Sequence, residues 1–295
     1  MPDEAYAAPP EHSQDEHSAP AGLVLVSTPI GNLGDLTPRA RDALQAADLI
    51  LCEDTRHTAK LLAGIGAKVK LQPLHEHNED AATPAILVQL RQGKRIALVA
   101  DAGVPLVSDP GYRLVRAALA EGLPVGAIPG ANAAVTALVL SGLPPMPFLV
   151  LGFPPPRQAA RRAGFGRLRA AERAGLSATL VWHAAPHRLA ATLADMADAF
   201  GNRPAAVARE LTKRFEEVRR AALSDLAAYY AANAPRGEIT IVIGPPEHDD
   251  PENLDDKLRS ALAHNSVKDA ATLVATATGL PRKLVYARAL ALSHG

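Results

Sequence analysis

The sequence predicts an α/β protein built as two successive α/β units followed by a small C-terminal helical segment. Three observations carry this expectation. Apolar runs of strand length alternate with helix-like stretches. The chain is 48% hydrophobic but only 4% aromatic, so its cores use small and branched side chains, as buried parallel strands do. The alternation breaks at Ser141–Pro147, where turn formers crowd, and then resumes. A chain of 295 residues can bury two sizeable cores.

The elements follow in order. Residues 1–20 hold Asp3, Glu4, Glu11, Asp15 and Glu16 with no Lys or Arg. This tail is rich in Pro and Ala, lacks periodicity and is expected to be disordered. The first unit, 21–145, opens with the apolar run Leu23–Ser27 and the turn-rich segment Thr28–Asp35. Thr37 then reads as an N-cap with Pro38 at the first helical position. Further strand-like runs lie at Leu49–Cys52, Val69–Leu74, Ile96–Ala100 and Val125–Ile128, with helix-like stretches at Ala59–Leu62, Ala81–Arg91 and Tyr112–Ala120. Such alternation implies a mostly parallel sheet covered on both faces. The second α/β unit, 146–246, shows strand-like runs at Phe148–Phe153, Thr179–Trp182, Ala205–Ala208, Val218–Leu223 and Ile239–Ile243. Residues 247–295 are expected to hold the end of a Pro-bounded linker and a helical segment. There Ser266–Thr278 and Arg282–Leu292 flank Gly279-Leu280-Pro281 with helix-turn-helix spacing.

Composition excludes several classes. A single cysteine, Cys52, rules out a disulfide framework and fits a buried strand position in a reducing compartment. No apolar run approaches the ~20 residues of a membrane span, and the N-terminus lacks a basic start and an apolar h-region. A cytoplasmic protein with no membrane partner is therefore expected. The 31 basic and 31 acidic residues cancel. Setting the tail's five acidic residues aside leaves 31 against 26, a modest positive balance.

Three Gly- and Pro-containing loops follow strand-like runs at what should be the carboxyl edge of the first sheet, where open α/β sheets bind ligands. They are Thr28–Asp35, Asp101–Pro105 continuing to Ser108-Asp109-Pro110-Gly111, and Pro129–Ala133 leading into a helix. Glycine lets the backbone approach closely, and helix N-termini leave N–H groups for polar ligand atoms. Neither a phosphate-binding G-x-x-x-x-G-K-[ST] nor a dinucleotide G-x-G-x-x-G motif is present. Two ionisable segments share the same expected edge: Glu53-Asp54-Thr55-Arg56-His57-Thr58, and His75-Glu76-His77-Asn78-Glu79. Asp54 or Thr55 would serve equally as a helix cap or as a functional group. His75 and His77 lack a clear third ligand, so no metal is expected.

Taken together and in this order, Thr28–Asp35, Glu53–Thr58, His75–Asn78, Asp101-Ala102-Gly103 with Ser108–Gly111, and Arg209-Glu210-Leu211-Thr212-Lys213 resemble the ribosomal RNA small subunit methyltransferase I family of the tetrapyrrole methylase superfamily. The resemblance runs from about Leu23 to the C-terminus. It implies two α/β domains of the tetrapyrrole methylase type with S-adenosylmethionine in the cleft between them. It also implies 2′-O-methylation of a cytidine in the decoding region of 16S ribosomal RNA, usually by a homodimer. By motif, the cofactor would meet Pro29, Gly31, Asp101, Gly103, Val104, Asn132 and Ala133 from the first domain. A looser alignment adds Ala184, Leu211 and Ile239. The chain departs from the family pattern at Val104 (usually Thr), Ala131 (usually Pro) and His183-Ala184 (usually an aromatic–Glu pair).

A methyl group on a sulfonium is already activated, so the protein's task is to hold the ribose oxygen in line with it. Asp54 or Glu53 as base and Arg56 or Lys213 as cationic stabiliser are the candidate catalytic residues. For RNA, Arg157, Arg161, Arg162, Arg167, Arg169 and Arg173 crowd one segment opposed only by Glu172, and guanidinium groups suit phosphate. Lys268, Arg282, Lys283 and Arg288 form a second candidate arm. The expected partner is 16S ribosomal RNA or the small ribosomal subunit. The alternatives are methyl transfer to a tetrapyrrole or other small molecule, and a non-catalytic RNA-binding protein on the same fold.

Overall fold

The computed structural model describes residues 22–246, 251–278 and 280–293. The tail 1–20 and Gly279 of the expected helix–helix turn lie outside the described residues.

The first sheet comprises β1 (Gly22–Val26), β2 (Leu49–Cys52), β3 (Leu71–Pro73), β4 (Arg95–Val99) and β5 (Val125–Ile128), in the order β3-β2-β4-β1-β5. Every neighbouring pair is parallel. The strands alternate with α1 (Pro38–Ala46), α2 (Thr55–Gly64), α3 (Glu79–Arg91) and α4 (Tyr112–Ala120), and α5 (Ala133–Ser141) follows β5. Side chains divide between the two faces with the strand period of two. Val24, Val26, Ile50, Cys52, Ala97 and Val99 share a core with Leu44 of α1 and Leu62 of α2. Leu23, Leu49, Leu51, Ile96 and Leu98 share the other with Ile86 of α3 and Leu114 of α4. Each fully buried branched side chain contributes ~1.5–3 kcal/mol. Because all five strands run the same way, the loops that follow them leave from one edge.

Local chemistry sets the helix starts. Thr37 accepts from the Ala40 N–H, with Pro38 inside the first turn of α1, as the sequence predicted. Asp54 caps α2 through the Arg56 N–H. β3 is shorter than the apolar run Val69–Leu74, because β2 is a four-residue strand and pairs only with Leu71, Gln72 and Pro73.

The second sheet comprises β6 (Phe148–Val150), β7 (Thr179–Ala184), β8 (Pro204–Arg209), β9 (Glu217–Ala222) and β10 (Ile239–Ile243), in the order β6-β7-β10-β8-β9. Only β6 and β7 pair in parallel; the other neighbours are antiparallel. One face packs on α6 (Gln158–Arg173), α7 (Leu189–Phe200) and α8 (Leu223–Ala232) through Phe165, Trp182, Leu193, Phe200 and Leu226. Phe165 meets Trp182 edge-on at 5.7 Å between ring centroids, a favourable aromatic geometry.

Three further helices, α9 (Pro251–Leu262), α10 (Val267–Thr278) and α11 (Arg282–Ser293), bury Leu258, Ala270, Ala271 and Val285 in a core of their own. Pro251, expected to close a linker, instead opens α9, where a missing N–H costs nothing. One compact unit of the chain runs through Ala133 and includes Leu211–Arg214; the other holds Ala134–Glu210 and the described residues from Phe215 onward.

The start of α4 depends on Gly111, whose φ is 120°. A Cβ there would overlap the Leu98 side chain and stand 2.9 Å from Leu106 Cδ2. Gly111→Ala is expected to cost ~1–3 kcal/mol and to lower the denaturant midpoint at constant slope. An unchanged midpoint would contradict this packing.

Candidate functional site

The three Gly- and Pro-containing loops leave β1, β4 and β5, which lie side by side with β1 in the middle. Two of them are tied by a two-way backbone bridge. Thr28 N–H donates to Gly103 O at 2.9 Å, and Gly103 N–H donates to Thr28 O at 3.1 Å. The buried Thr28 hydroxyl adds a bond to Ala100 O at 3.1 Å. Gly103 has φ 82°, a conformation that favours glycine. A Cβ there would sit 3.4 Å from Ile30 Cγ2 and 3.5 Å from Ala131 O, so all three loops meet at this residue. Gly130 is constrained by space instead, since a Cβ would come within 2.9 Å of Ser27 Cβ. Pro29, Gly31, Asp101, Gly103, Val104 and Asn132 therefore ride on interlocked loops, and Ala133 begins α5.

A fourth segment joins them. A Cβ on Gly31 would run into Lys213 Cγ and stand 3.0 Å from Leu211 O. Glu210 and Thr212 hold left-handed φ values of 51° and 64°, which costs energy in non-glycine residues. Ala184 and Ile239, the candidates from the second sheet, are direct cross-strand partners on β7 and β10, and both are buried.

The structure gives Asp54 a structural duty. Its carboxylate accepts from the Arg56 N–H at 2.8 Å and from Arg56 Nε and Nη2 at 3.1 and 2.8 Å. The Arg56 guanidinium holds that carboxyl well below the usual carboxylate range, making it a weak base. The Asp54 N–H donates to Asp101 Oδ1 at 3.2 Å, which links the β2 and β4 loops. Glu53 lines a pocket of about 370 Å³, together with Glu76, Glu79, Asp109, Tyr112 and Arg113. Glu79 is buried, and its Oε1 accepts from the Leu114 N–H at 3.0 Å. That supplies α4 with the cap its N-terminal Gly111 lacks. Arg113 pairs with Asp80 at 2.6 Å. Burial, with Glu53 and Asp101 beside it, pushes the Asp109 carboxyl up to about 6.

Asp109 lies in a motif that stood out in the sequence, yet no role attached to it there. The signal was the run Ser108-Asp109-Pro110-Gly111, which holds left-handed φ at Ser108 (72°) and Gly111 (120°). His75 and Asn78 form the turn into α3: Asn78 Oδ1 accepts from the His75 N–H at 2.8 Å. Among the described residues no group of three metal-ligating side chains gathers.

The arginine-rich segment is α6, and its six arginines divide. Arg161 is 4% exposed, and its Nη2 lies 2.5 Å from Asp195 Oδ2 of α7. It cannot reach RNA, and the expectation is corrected for that residue. Arg162 also holds Asp195, at 2.6 Å, and Asp198, at 2.9 Å. Arg169 bonds the buried Glu172 at 3.2 Å, which Arg203 clasps at 2.7 Å. Both buried carboxylates would be costly without such partners. Arg157, Arg167 and Arg173 are exposed and make no ion pair among the described residues.

Residues 22–227 match the family model of the tetrapyrrole (corrin/porphyrin) methylases, and residues 247–293 match the RsmI C-terminal HTH domain. The ribosomal RNA small subunit methyltransferase I of Mesorhizobium japonicum is 44% identical, covering 92% of either chain. Its namesake from Escherichia coli O157:H7 is 38% identical over 94% of this chain and 97% of its own. Among solved structures, diphthine synthase is similar at TM-score 0.58 with 14% identity, covering 75% of this chain and 89% of its own. A uroporphyrin-III C-methyl transferase from Thermus thermophilus, complexed with S-adenyl homocysteine, gives 0.53 with 20% identity, covering 76% and 97%. At these identities the two structures show the fold alone.

The division of α6 is testable by stability. Arg161→Leu strands part of the buried Asp195 carboxylate and should cost ~3–5 kcal/mol, whereas Arg167→Glu should stay within ~0.5 kcal/mol of wild type. Burial raises the Asp195 pKa, but hydrogen bonds from Arg162, Gln158 and Arg161 hold it below its ordinary value. The stabilisation is therefore present above about pH 4 and lost as pH falls further, so the Arg161→Leu deficit should shrink in acid. Equal urea midpoints for both variants at pH 7 would refute the division.

Proposed function

The chain belongs to the ribosomal RNA small subunit methyltransferase I family of tetrapyrrole methylases, and from that premise we propose that it transfers a methyl group from S-adenosylmethionine to the ribose 2′-oxygen of a cytidine in the decoding region of 16S ribosomal RNA. The observation that carries the reading is the interlocked loop set around Gly103. Its bare left-handed backbone is what a ligand needs in order to approach a strand end closely.

The residues present fit S-adenosylmethionine. Gly103 holds its left-handed φ where the β1, β4 and β5 loops meet, and it carries no side chain there. Asp101 offers a carboxylate whose Oδ1 is already fixed by the Asp54 N–H, the kind of acceptor that suits ribose hydroxyls. Ala133 opens a helix whose first N–H groups have no intrahelical partner. Pro29, Gly31, Val104 and Asn132 would complete the contacts from the first unit, with Leu211, Ala184 and Ile239 as the remaining candidates. When bound, S-adenosylmethionine supplies a methyl group on a sulfonium, which needs no further activation. What remains for the protein is to hold the acceptor ribose in line and to manage its proton, and positioning alone supplies several kcal/mol. Arg56, 88% exposed beyond its pair with Asp54, would meet phosphate or the developing charge on oxygen. Lys213 lies against Gly31 in the same loop set and would serve the same purpose.

RNA would be held by Arg157, Arg167 and Arg173, with Lys268, Arg282 and Lys283 on the C-terminal helices as a second arm. Arg288 is committed to Asp255 at 2.5 Å. A homodimer and a cytoplasmic site of action complete the reading. Met146, Val150 and Phe153, exposed on and beside the edge strand β6, support self-association. Among the described residues no helix is long and apolar enough to cross a membrane.

Labelled S-adenosylmethionine incubated with small ribosomal subunits from a strain lacking the gene should yield one 2′-O-methylcytidine in the decoding region. Label appearing only on a porphyrinoid would favour tetrapyrrole chemistry, and folded protein with no cofactor binding would favour a non-catalytic RNA binder. Gly103→Val should weaken S-adenosylmethionine binding at least tenfold, about 1.4 kcal/mol. Reversing Arg157, Arg167 and Arg173 to Glu should reduce the slope of RNA affinity against salt by about 3, with S-adenosylmethionine binding unchanged. A slope equal to wild type would remove α6 from the RNA surface.

A further inference from the structure

We infer that Asp109, in the pocket it shares with Glu53, is the base that accepts the proton of the attacking ribose hydroxyl. The inference deepens the proposed function and rests on it. The pocket, about 370 Å³, falls in the size range of small-molecule sites. Its wall Ser108–Gly111 continues the β4 loop that carries Asp101 and Gly103, the Asp101 charge acts on Asp109, and Glu53 directly precedes the cap residue Asp54.

Three other nearby carboxylates have hydrogen-bond duties. Asp54 is held by the Arg56 backbone and guanidinium, Asp101 accepts from the Asp54 N–H, and Glu79 caps α4. Asp109 has no cation paired with it among the described residues, and the charges acting on it, Glu53 and Asp101, are both negative. Around it stand Glu76 after β3, Glu79 on α3, and Tyr112 and Arg113 on α4. Arg113, the pocket's cation, is turned to Asp80. A carboxyl raised to about 6 by burial and by these neighbours is ionised at neutral pH and basic enough to take a proton, the condition for a general base. A pocket of carboxylates also favours a hydroxyl donor and leaves phosphates to the basic surfaces outside it.

The 2′-oxygen forms its bond to the methyl carbon as the carbon–sulfur bond of the donor breaks, and that electron pair stays on sulfur. The hydroxyl proton passes to the Asp109 carboxylate and from there to water.

Two measurements on the full-length protein test this. In methyl transfer to small ribosomal subunits, the wild-type rate should fall on the acid side of about pH 6. Asp109→Asn should lower kcat ~100-fold or more, with KM changed little, and abolish that acid limb. Glu53→Gln should keep the limb and move it to lower pH. The second readout needs neither cofactor nor RNA. The folded pKa of Asp109 lies above its unfolded value of about 4, so its carboxyl favours the fold below pH 4, and that contribution is lost as pH rises through 6. Asp109→Asn should therefore raise the melting temperature at pH 8 more than at pH 4. If the wild type is active and Asp109→Asn keeps its rate and acid limb, or shows no pH-dependent gain in melting temperature, the base assignment is overturned and the functional reading stands. If the wild type transfers no methyl group to the subunits, the functional reading falls, and this inference with it.

Discussion

Thr28 and Gly103 exchange two backbone hydrogen bonds across the ends of β1 and β4, and the organisation of the first sheet's carboxyl edge follows from that bridge. It needs a residue at 103 that tolerates φ 82°, close to Ile30 and the Ala131 carbonyl. With the bridge in place, the β1 loop cannot move without the β4 loop. The β5 loop is locked in turn by Gly130 lying against Ser27. Loops interlocked in this way at the carboxyl edge of a parallel sheet suit preorganised binding, because the entropy of ordering them is lost in folding and not again on binding a ligand.

Charge is arranged around this frame in layers. Asp54 and Arg56 neutralise one another at the start of α2 while the Asp54 N–H positions Asp101. Glu53 and Asp109 line one pocket, and among the described residues no cation pairs with either, Arg113 being held by Asp80. Charges kept apart from their counterions carry a stability cost, and such costs concentrate where chemistry is done. The contrast with α6 is direct. There, buried Asp195 and Glu172 each collect more than one arginine, and the result is a rigid helix pair with no free acid.

Much of this was legible in the sequence, for identifiable reasons. The first sheet declared itself because Leu23–Val26, Leu49–Cys52 and Ile96–Val99 are apolar at every position, as strands covered on both faces must be. Thr37-Pro38 announced its helix by cap chemistry, whereas Asp54 read equally as a cap or a functional group until its bond from the Arg56 N–H made it the cap of α2. Strand direction in the second sheet was not legible, because the side-chain period is the same for parallel and antiparallel pairs. Arg161 looked like Arg167 because what separates them is Asp195, 34 residues away from Arg161. The environment of Asp109 depends on Glu53, which reaches it from a different strand end, so the motif drew attention to the loop and gave no role to the acid.

The central claim is that the loops interlocked at Gly103 hold S-adenosylmethionine. Amide chemical-shift mapping during titration of the protein with S-adenosylmethionine tests it most directly. The account predicts that the largest perturbations fall on Gly31, Gly103, Val104, Asn132 and Ala133, with α6 and the C-terminal helices undisturbed. Saturable binding with perturbations confined to other elements would contradict it.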